Sequence, residues 1–250
     1  MNDLRSFIPP YILHRIVAHG SERQRSSAMS TLAHVRTLWH PPGPPVRTAA
    51  AAILPAPGKP GQAQRSVHDA QGKMLLPGMP VRLEGQAASG DPAVDEAYDA
   101  LGASYDFFWK VLGRDSIDGK GFALIGSVHY GQDYENAFWN GSQMVFGDGD
   151  GEIFERFTRS LDVVAHELTH GVVESEAGLV YADQSGALNE SLSDVFGVLT
   201  KQYLLQQTAE QADWLIGADL LTPRIKGIGL RSMAHPGTAS ARRAWRTSRP

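Results

Sequence analysis

Asp162-Val163-Val164-Ala165-His166-Glu167-Leu168-Thr169-His170 is the stretch whose reading decides the fold. Two histidines four residues apart project from one face of a helix, close enough to share a metal ion, and a Glu beside the first can work on water bound to that metal. Val163, Val164 and Leu168 supply an apolar face, and the interior of the run carries few acids, so the spacing predicts a buried helix rather than a solvated one bearing two surface histidines.

A second stretch completes the pattern. Asn189-Glu190-Ser191-Leu192-Ser193-Asp194 sits among Leu188, Leu192, Val195, Phe196 and Leu199, which repeat with helical spacing. A catalytic zinc takes three protein ligands and keeps one position open. His166, His170 and Glu190 meet that count, and Asp194, one turn beyond Glu190, can accept the free ring N–H of a ligating histidine, with Asn189 a further candidate for such support. A metal-free interaction module would require this set to be coincidental.

The run from Asn136 to Asp194 resembles the thermolysin-like neutral metallopeptidases of the zincin class: Asn136-Ala137-Phe138-Trp139-Asn140-Gly141, Phe146-Gly147-Asp148-Gly149-Asp150-Gly151, the two-histidine helix, Ala177-Gly178-Leu179-Val180-Tyr181, and Asn189-Glu190 to Gly197 follow in the family's order and spacing. The resemblance implies a zinc endopeptidase cutting on the amino side of bulky apolar residues. Glu167 would then be the general base, Tyr181 a donor to the developing oxyanion, and Arg231 the binder of a substrate carbonyl. Asn136, Ala137 and Trp139 would belong to the edge along which an extended peptide pairs, and Phe154, Phe157 and Val163 would line the apolar pocket for the residue after the cut.

Composition sets outer bounds. With 250 residues, 42% of them hydrophobic, the chain can bury a sizeable core. A formal net charge of −4 argues against nucleic acid as a partner, no apolar run reaches membrane-spanning length, and the absence of cysteine excludes disulfides. Protein or peptide substrates and the chain's own N-terminal segment are the expected partners of a monomer.

Met1 to Leu38 lacks the apolar core of a signal peptide, which leaves secretion by a non-classical route or a cytoplasmic location. Phe7-Ile8-Pro9-Pro10-Tyr11-Ile12-Leu13 opens a helical module, and Ser21 can cap a helix with Ala28, Leu32, Val35 and Leu38 on one side. With His19-Gly20-Ser21-Glu22-Arg23-Gln24-Arg25, this start resembles the short propeptide of the protealysin-like branch, which implies a cleft blocked until the segment is removed. The expected organisation is a propeptide over 1–45 and a Pro/Ala-rich linker over 46–64, with the processed start between Val46 and Arg65. A β-rich catalytic lobe over 65–160 and zinc-site helices over 161–239 follow.

In that lobe Ser66–His68, Met74–Leu76 and Val81–Leu83 read as short strands of a meander, and Ala123–Tyr130 and Gln143–Phe146 as further strands. Asp91-Pro92 caps a helix bearing Val94, Tyr98, Leu101, Tyr105, Phe108, Trp109 and Leu112 as core, and His129 is expected to be structural. The class is α+β. The resemblance implies calcium as well as zinc, with Asp162 and Asp213 at family positions. Lys201, Leu215 and Ala218 stand where better-endowed members carry acids, so that double-calcium site is expected to be weak or lost, and Asp148 and Asp150 to serve a turn. The resemblance fades near Gly237, and Ser240 to Pro250, with four arginines and no acid, reads as an aberrant basic tail in place of most of the family's C-terminal helical domain. The alternative expectation is therefore a catalytically impaired zinc-binding fragment with an inhibitory propeptide.

Overall fold

The computed structural model describes residues 6–39, 59–225 and 227–239. Most of the expected linker, the expected processing region up to residue 58 and the basic tail lie outside the described residues.

Two helices open the chain, α1 (Pro10–His19) and α2 (Glu22–Trp39). Proline at the first turn of α1 costs nothing, because that N–H has no intrahelical acceptor. Ser21 and Gln24 exchange bonds at the start of α2, Gln24 N–H to Ser21 Oγ at 3.3 Å and Ser21 N–H to Gln24 Oε1 at 2.8 Å, a reciprocal capping box. Ala28, Leu32 and Val35 are buried, as the helical spacing predicts.

Residues 65–160 hold five strands: β1 (Arg65–Asp69), β2 (Met79–Leu83), β3 (Leu124–Val128), β4 (Ala137–Trp139) and β5 (Met144–Phe146), with α3 (Pro92–Leu112) between β2 and β3. Their order is β2-β1-β3-β5-β4. Over 65–85 the meander expectation keeps its outer pair, β1 antiparallel to β2, and loses its middle run; in the wider sheet β1, β3 and β5 run parallel and β4 is antiparallel to β5. Met74–Leu76 is not a strand; the chain bends at Met74 and again at Leu76, with Met74 and Leu75 exposed, leading into a cis Leu76–Pro77 bond. α3 starts where Asp91 accepts from Ala93 and Val94 N–H and ends on left-handed Gly113. It buries Val94, Tyr98, Leu101, Tyr105 and Phe108, and the half-buried Trp109 packs against the same core, but Leu112 is exposed at the last turn and is not core.

α4 (Leu161–Ala177) and α5 (Asp183–Leu205) pack together beside the sheet. They approach so closely that a methyl on Gly197 would stand 2.6 Å from the Asp162 carbonyl oxygen, which is why α5 carries a glycine there. A short antiparallel pair, β6 (Leu215–Ile216) and β7 (Arg231–Ser232), follows α5. Tyr203 and Leu204 on α5 are exposed, and no described helix is long and apolar enough to cross a membrane.

Candidate metal centre

α4 sets the imidazoles of His166 and His170 edge to face, 4.6 Å apart between ring centres, and α5 brings Glu190 to both. Glu190 Oε2 is 3.4 Å from His166 Nε2 and Oε1 is 3.4 Å from His170 Nε2. One ligand atom from each residue falls within 4.8 Å of the others, a spread that a single ion can bridge.

The outer nitrogens of both rings are engaged. His166 Nδ1 lies 2.9 Å from Asp194 Oδ1; His170 Nδ1 lies 2.8 Å from Asn189 Oδ1 and 3.1 Å from Ser193 Oγ. Acceptors at Nδ1 place the ring proton there and turn the Nε2 lone pairs toward Glu190. The buried His166 Nε2 has no hydrogen-bond partner, so the donor set fits a divalent cation. Burial opposes a proton on His166, but Asp194 and Glu190 outweigh it and push its pKa up to about 10, electrostatics that favour a positive charge at this point. Burial would likewise raise Asp194, but Arg231 and His166 hold its carboxyl well below the usual range. Sequence reasoning did not single out Ser193; its signal is the position one turn past Asn189 on the same helical face.

Glu167 is fully buried and neither carboxylate oxygen has a hydrogen-bond partner within the protein. Burial pushes its pKa up to about 8, opposed by His166 and reinforced by Glu190. A buried carboxyl without a partner is expensive unless it is reserved for something that arrives. The Tyr181 hydroxyl donates to Glu190 Oε1, and the Tyr181 ring stands 5.9 Å from that of His170. Arg231, carried on β7, grips Asp194 with two bonds of 2.7 Å. Its remaining Nη1 donates to Phe7 O at 3.3 Å.

Phe7 thus links the N-terminal segment to the centre. Its N–H donates to Ala137 O at 3.3 Å on β4, the sheet's edge strand, and Ile8 N–H donates to Asn136 Oδ1 at 2.9 Å. The wholly buried Phe7 ring meets His166 edge-on at 5.1 Å, with the Arg231 guanidinium 4.9 Å from its centre. Phe154, Phe157 and Val163 are buried in the same apolar cluster as Phe7. Trp139 is arranged differently: its ring packs where it would meet any side chain at Gly171 of α4, and its Nε1 donates to Glu174 at 2.8 Å, which leaves its backbone as the part on the edge strand. Sequence reasoning assigned Phe7 to the opening of a helical module only; the apolar pair ahead of Pro9-Pro10 was the available signal.

Away from the centre, Lys201 Nζ lies 3.5 Å from both Asp213 and Asp219, and Asp162 is fully buried, accepting from Ser160 Oγ and Gly217 N–H at 2.6 Å each. Asp150 Oδ1 accepts from the amides of Glu152, Ile153 and Phe154, holding the turn after β5. Asp148 and Asp91 clasp His129 at 2.8 and 3.0 Å.

Residues 5–46 match the protealysin propeptide, 77–174 the catalytic domain of thermolysin metallopeptidases, and 177–249 their alpha-helical domain. The fold also superimposes on the precursor of protealysin, a metalloproteinase from Serratia proteamaculans, with a TM-score of 0.85 and 56% identity over 95% of this chain and 67% of that one. The chain belongs to the thermolysin-like metallopeptidases. Within that family it is 64% identical to an extracellular metalloprotease of Pectobacterium carotovorum subsp. carotovorum over 94% of its own length, and 47% identical to a thermolysin of Bacillus sp. (strain EA1) over 68%. The chain spans 66% of the first relative and 31% of the second. Thermolysin-like α+β architecture with an N-terminal propeptide is therefore its fold, and α4 and α5 carry the three residues that could hold a metal ion.

Proposed function

We propose that the protein is a zinc-dependent endopeptidase, made as a precursor that cuts itself and then hydrolyses peptide bonds on the amino side of bulky apolar residues. The observation that carries this reading is Phe7: an apolar residue of the chain lies against His166, its N–H on the edge strand and its carbonyl on Arg231, as a substrate's residue after the cut would.

His166, His170 and Glu190 would hold zinc, which when bound polarises a carbonyl and lowers the pKa of water. Glu167, without a protein partner, takes the proton of the attacking water and returns it to the leaving amine. Tyr181 swings its hydroxyl from Glu190 to the oxyanion, and Arg231, braced by Asp194, holds the carbonyl on the far side of the cut. Asn136 and Ala137 fix the peptide's register by backbone pairing, Trp139 contributes its backbone, and Phe154, Phe157 and Val163 form the apolar pocket. Asp194 and Asn189 orient the histidines.

In the precursor the same contacts keep substrate out. We place the propeptide at 1–45, the linker at 46–64, the catalytic lobe at 65–160, the helical part at 161–239 and the basic tail at 240–250. The enzyme acts as a monomer outside the cell, on proteins and peptides rather than on nucleic acid or membranes. The Lys201 ammonium stands in for calcium among Asp162, Asp213 and Asp219.

The test is the intact mass of the purified chain after incubation with zinc, beside Glu167→Gln. A cut between Trp39 and Arg65 in the wild type alone supports the reading. If both chains bind zinc and both stay whole, the reading fails.

A further inference from the structure

The N-terminal segment leaves the edge strand early, and the place it leaves has its own chemistry. Phe7 bonds to Ala137 and Ile8 to Asn136, so the segment runs antiparallel to the edge, one residue for each residue. Along this edge Asn136 O and Tyr134 O are taken from inside by Gly147 and Gly149 N–H, at 3.0 and 3.1 Å, while Ala137 O and Glu135 N–H face outward. The same register brings the third residue of a bound peptide, counting the Phe7 place as the first, opposite Glu135. Ladder pairing there would exchange two bonds, the Glu135 N–H to the peptide carbonyl and the peptide N–H to Glu135 O, and opposed side chains would share one face of the ladder. The propeptide cannot follow this path. Its third residue is Pro9, which has no N–H to donate, and Pro10 starts α1. Thr31 Oγ1, returning on α2, accepts the Glu135 N–H at 3.1 Å instead.

This third place is acidic and under-compensated. Glu135 is fully buried beneath α2, and both of its carboxyl oxygens lack a hydrogen-bond partner. Asp150 Oδ2 is buried without one as well. Asp133 and Glu152 form the outer rim, and a cation of the propeptide already sits on it: Arg23 lies 3.1 Å from Asp133 and 3.9 Å from Glu152. Burial first, then the charge of Asp150, push the Glu135 pKa up to about 9; a cation arriving beside it would restore the ionised form.

We infer that the cleft selects a basic residue at the third position after the cut, read by the Glu135 carboxylate with Asp133 at the rim and by backbone pairing to the Glu135 amide, and that it rejects proline there. This rests on the peptide-hydrolase reading above, with the propeptide escaping cleavage-competent pairing through Pro9.

The test uses the processed protein, or the chain nicked in its linker with trypsin and freed of the propeptide where it stays whole. Peptides identical except for Arg, Glu or Pro at the third position after the cut are compared by kcat/KM, and as competitors for binding to the zinc-loaded Glu167→Gln protein nicked in the same way. Arg exceeding Glu by about tenfold or more, with Pro also well below Arg, is expected. Glu135→Gln and, separately, Asp133→Asn should each compress the Arg-to-Glu ratio, with zinc content and melting temperature showing that each variant is folded. Equal rates for Arg and Glu, or a preference that survives Glu135→Gln, overturn the inference. If no peptide is cut, the hydrolase reading falls, and the binding order decides this one: Arg bound more tightly than Glu supports it, and no order overturns it.

Discussion

Replacing Phe7 with alanine should open the cleft while leaving the body of the protein folded. The Phe7 ring is wholly buried, wedged between His166 and the Arg231 guanidinium, and its loss removes apolar contact without touching the backbone bonds to Ala137, Asn136 and Arg231. Truncating a buried Phe to Ala costs about 3–5 kcal/mol, transfer and cavity together. The propeptide is joined to the body by the linker, so opening is an intramolecular equilibrium and this cost enters the closed-to-open ratio directly. At about 1.4 kcal/mol per decade, the open population should rise by roughly 10² to several times 10³. Amide hydrogen exchange reads this without any catalysis, since exchange of an engaged N–H follows the free energy of local opening. In Phe7→Ala, the Ile8 N–H should exchange at least about a hundredfold faster. The Leu124 N–H on β3, bonded to Gln64 O just ahead of β1 at 2.7 Å, should keep its wild-type rate. Acceleration of Ile8 by less than tenfold, or equal acceleration of Leu124, would refute the argument that this ring holds a separable segment in the cleft.

Asp194→Asn keeps the shape of the side chain but removes the charge facing both His166 and Arg231, and should weaken zinc binding about 10- to 100-fold in competition with a chelator; an unchanged affinity would show that Asp194 does not support the metal. His129, raised to about 9 by its bond to Asp148 against the opposing effect of burial and with help from Asp91, should contribute roughly 1–3 kcal/mol of stability. Because its folded pKa lies above the unfolded value, that contribution is full below about pH 6.5 and is lost as pH rises through 9. Denaturant unfolding of wild type and His129→Gln should therefore converge between pH 6.5 and 9.5, and a gap independent of pH would exclude the mechanism. Lys201→Glu should make the melting temperature rise with added calcium, since it swaps the half-buried ammonium for a carboxylate beside Asp162, Asp213 and Asp219; a melting temperature indifferent to calcium would count against a cation place there.

The candidate metal centre was legible because its determinants are local. His166, Glu167 and His170 share one helix, and Asn189, Glu190 and Asp194 share the next, so helical periodicity alone ranks each set on a face. The helix caps at Ser21 and Asp91 and the core positions of α3 were legible for the same reason, up to the last turn, where Leu112 follows the period but runs past the surface that could bury it. The order and direction of the strands were not legible. Nothing near Ser66 or Leu124 in the sequence says that β1 lies parallel to β3, because that pairing joins segments separated by the whole of α3.

What the sequence determined by itself was the set of chemical groups and the short-range spacing that assigns them to helix faces: the two histidines, their glutamates and the prolines that end one segment and start another. Tertiary structure alone decided who meets whom across the chain. Phe7 reaches His166, Arg231 reaches Asp194, and α2 settles over Glu135. Such meetings depend on the closure of long loops and on shape-matched burial, which are collective properties of the packed chain and leave no periodic trace in the residues that make them.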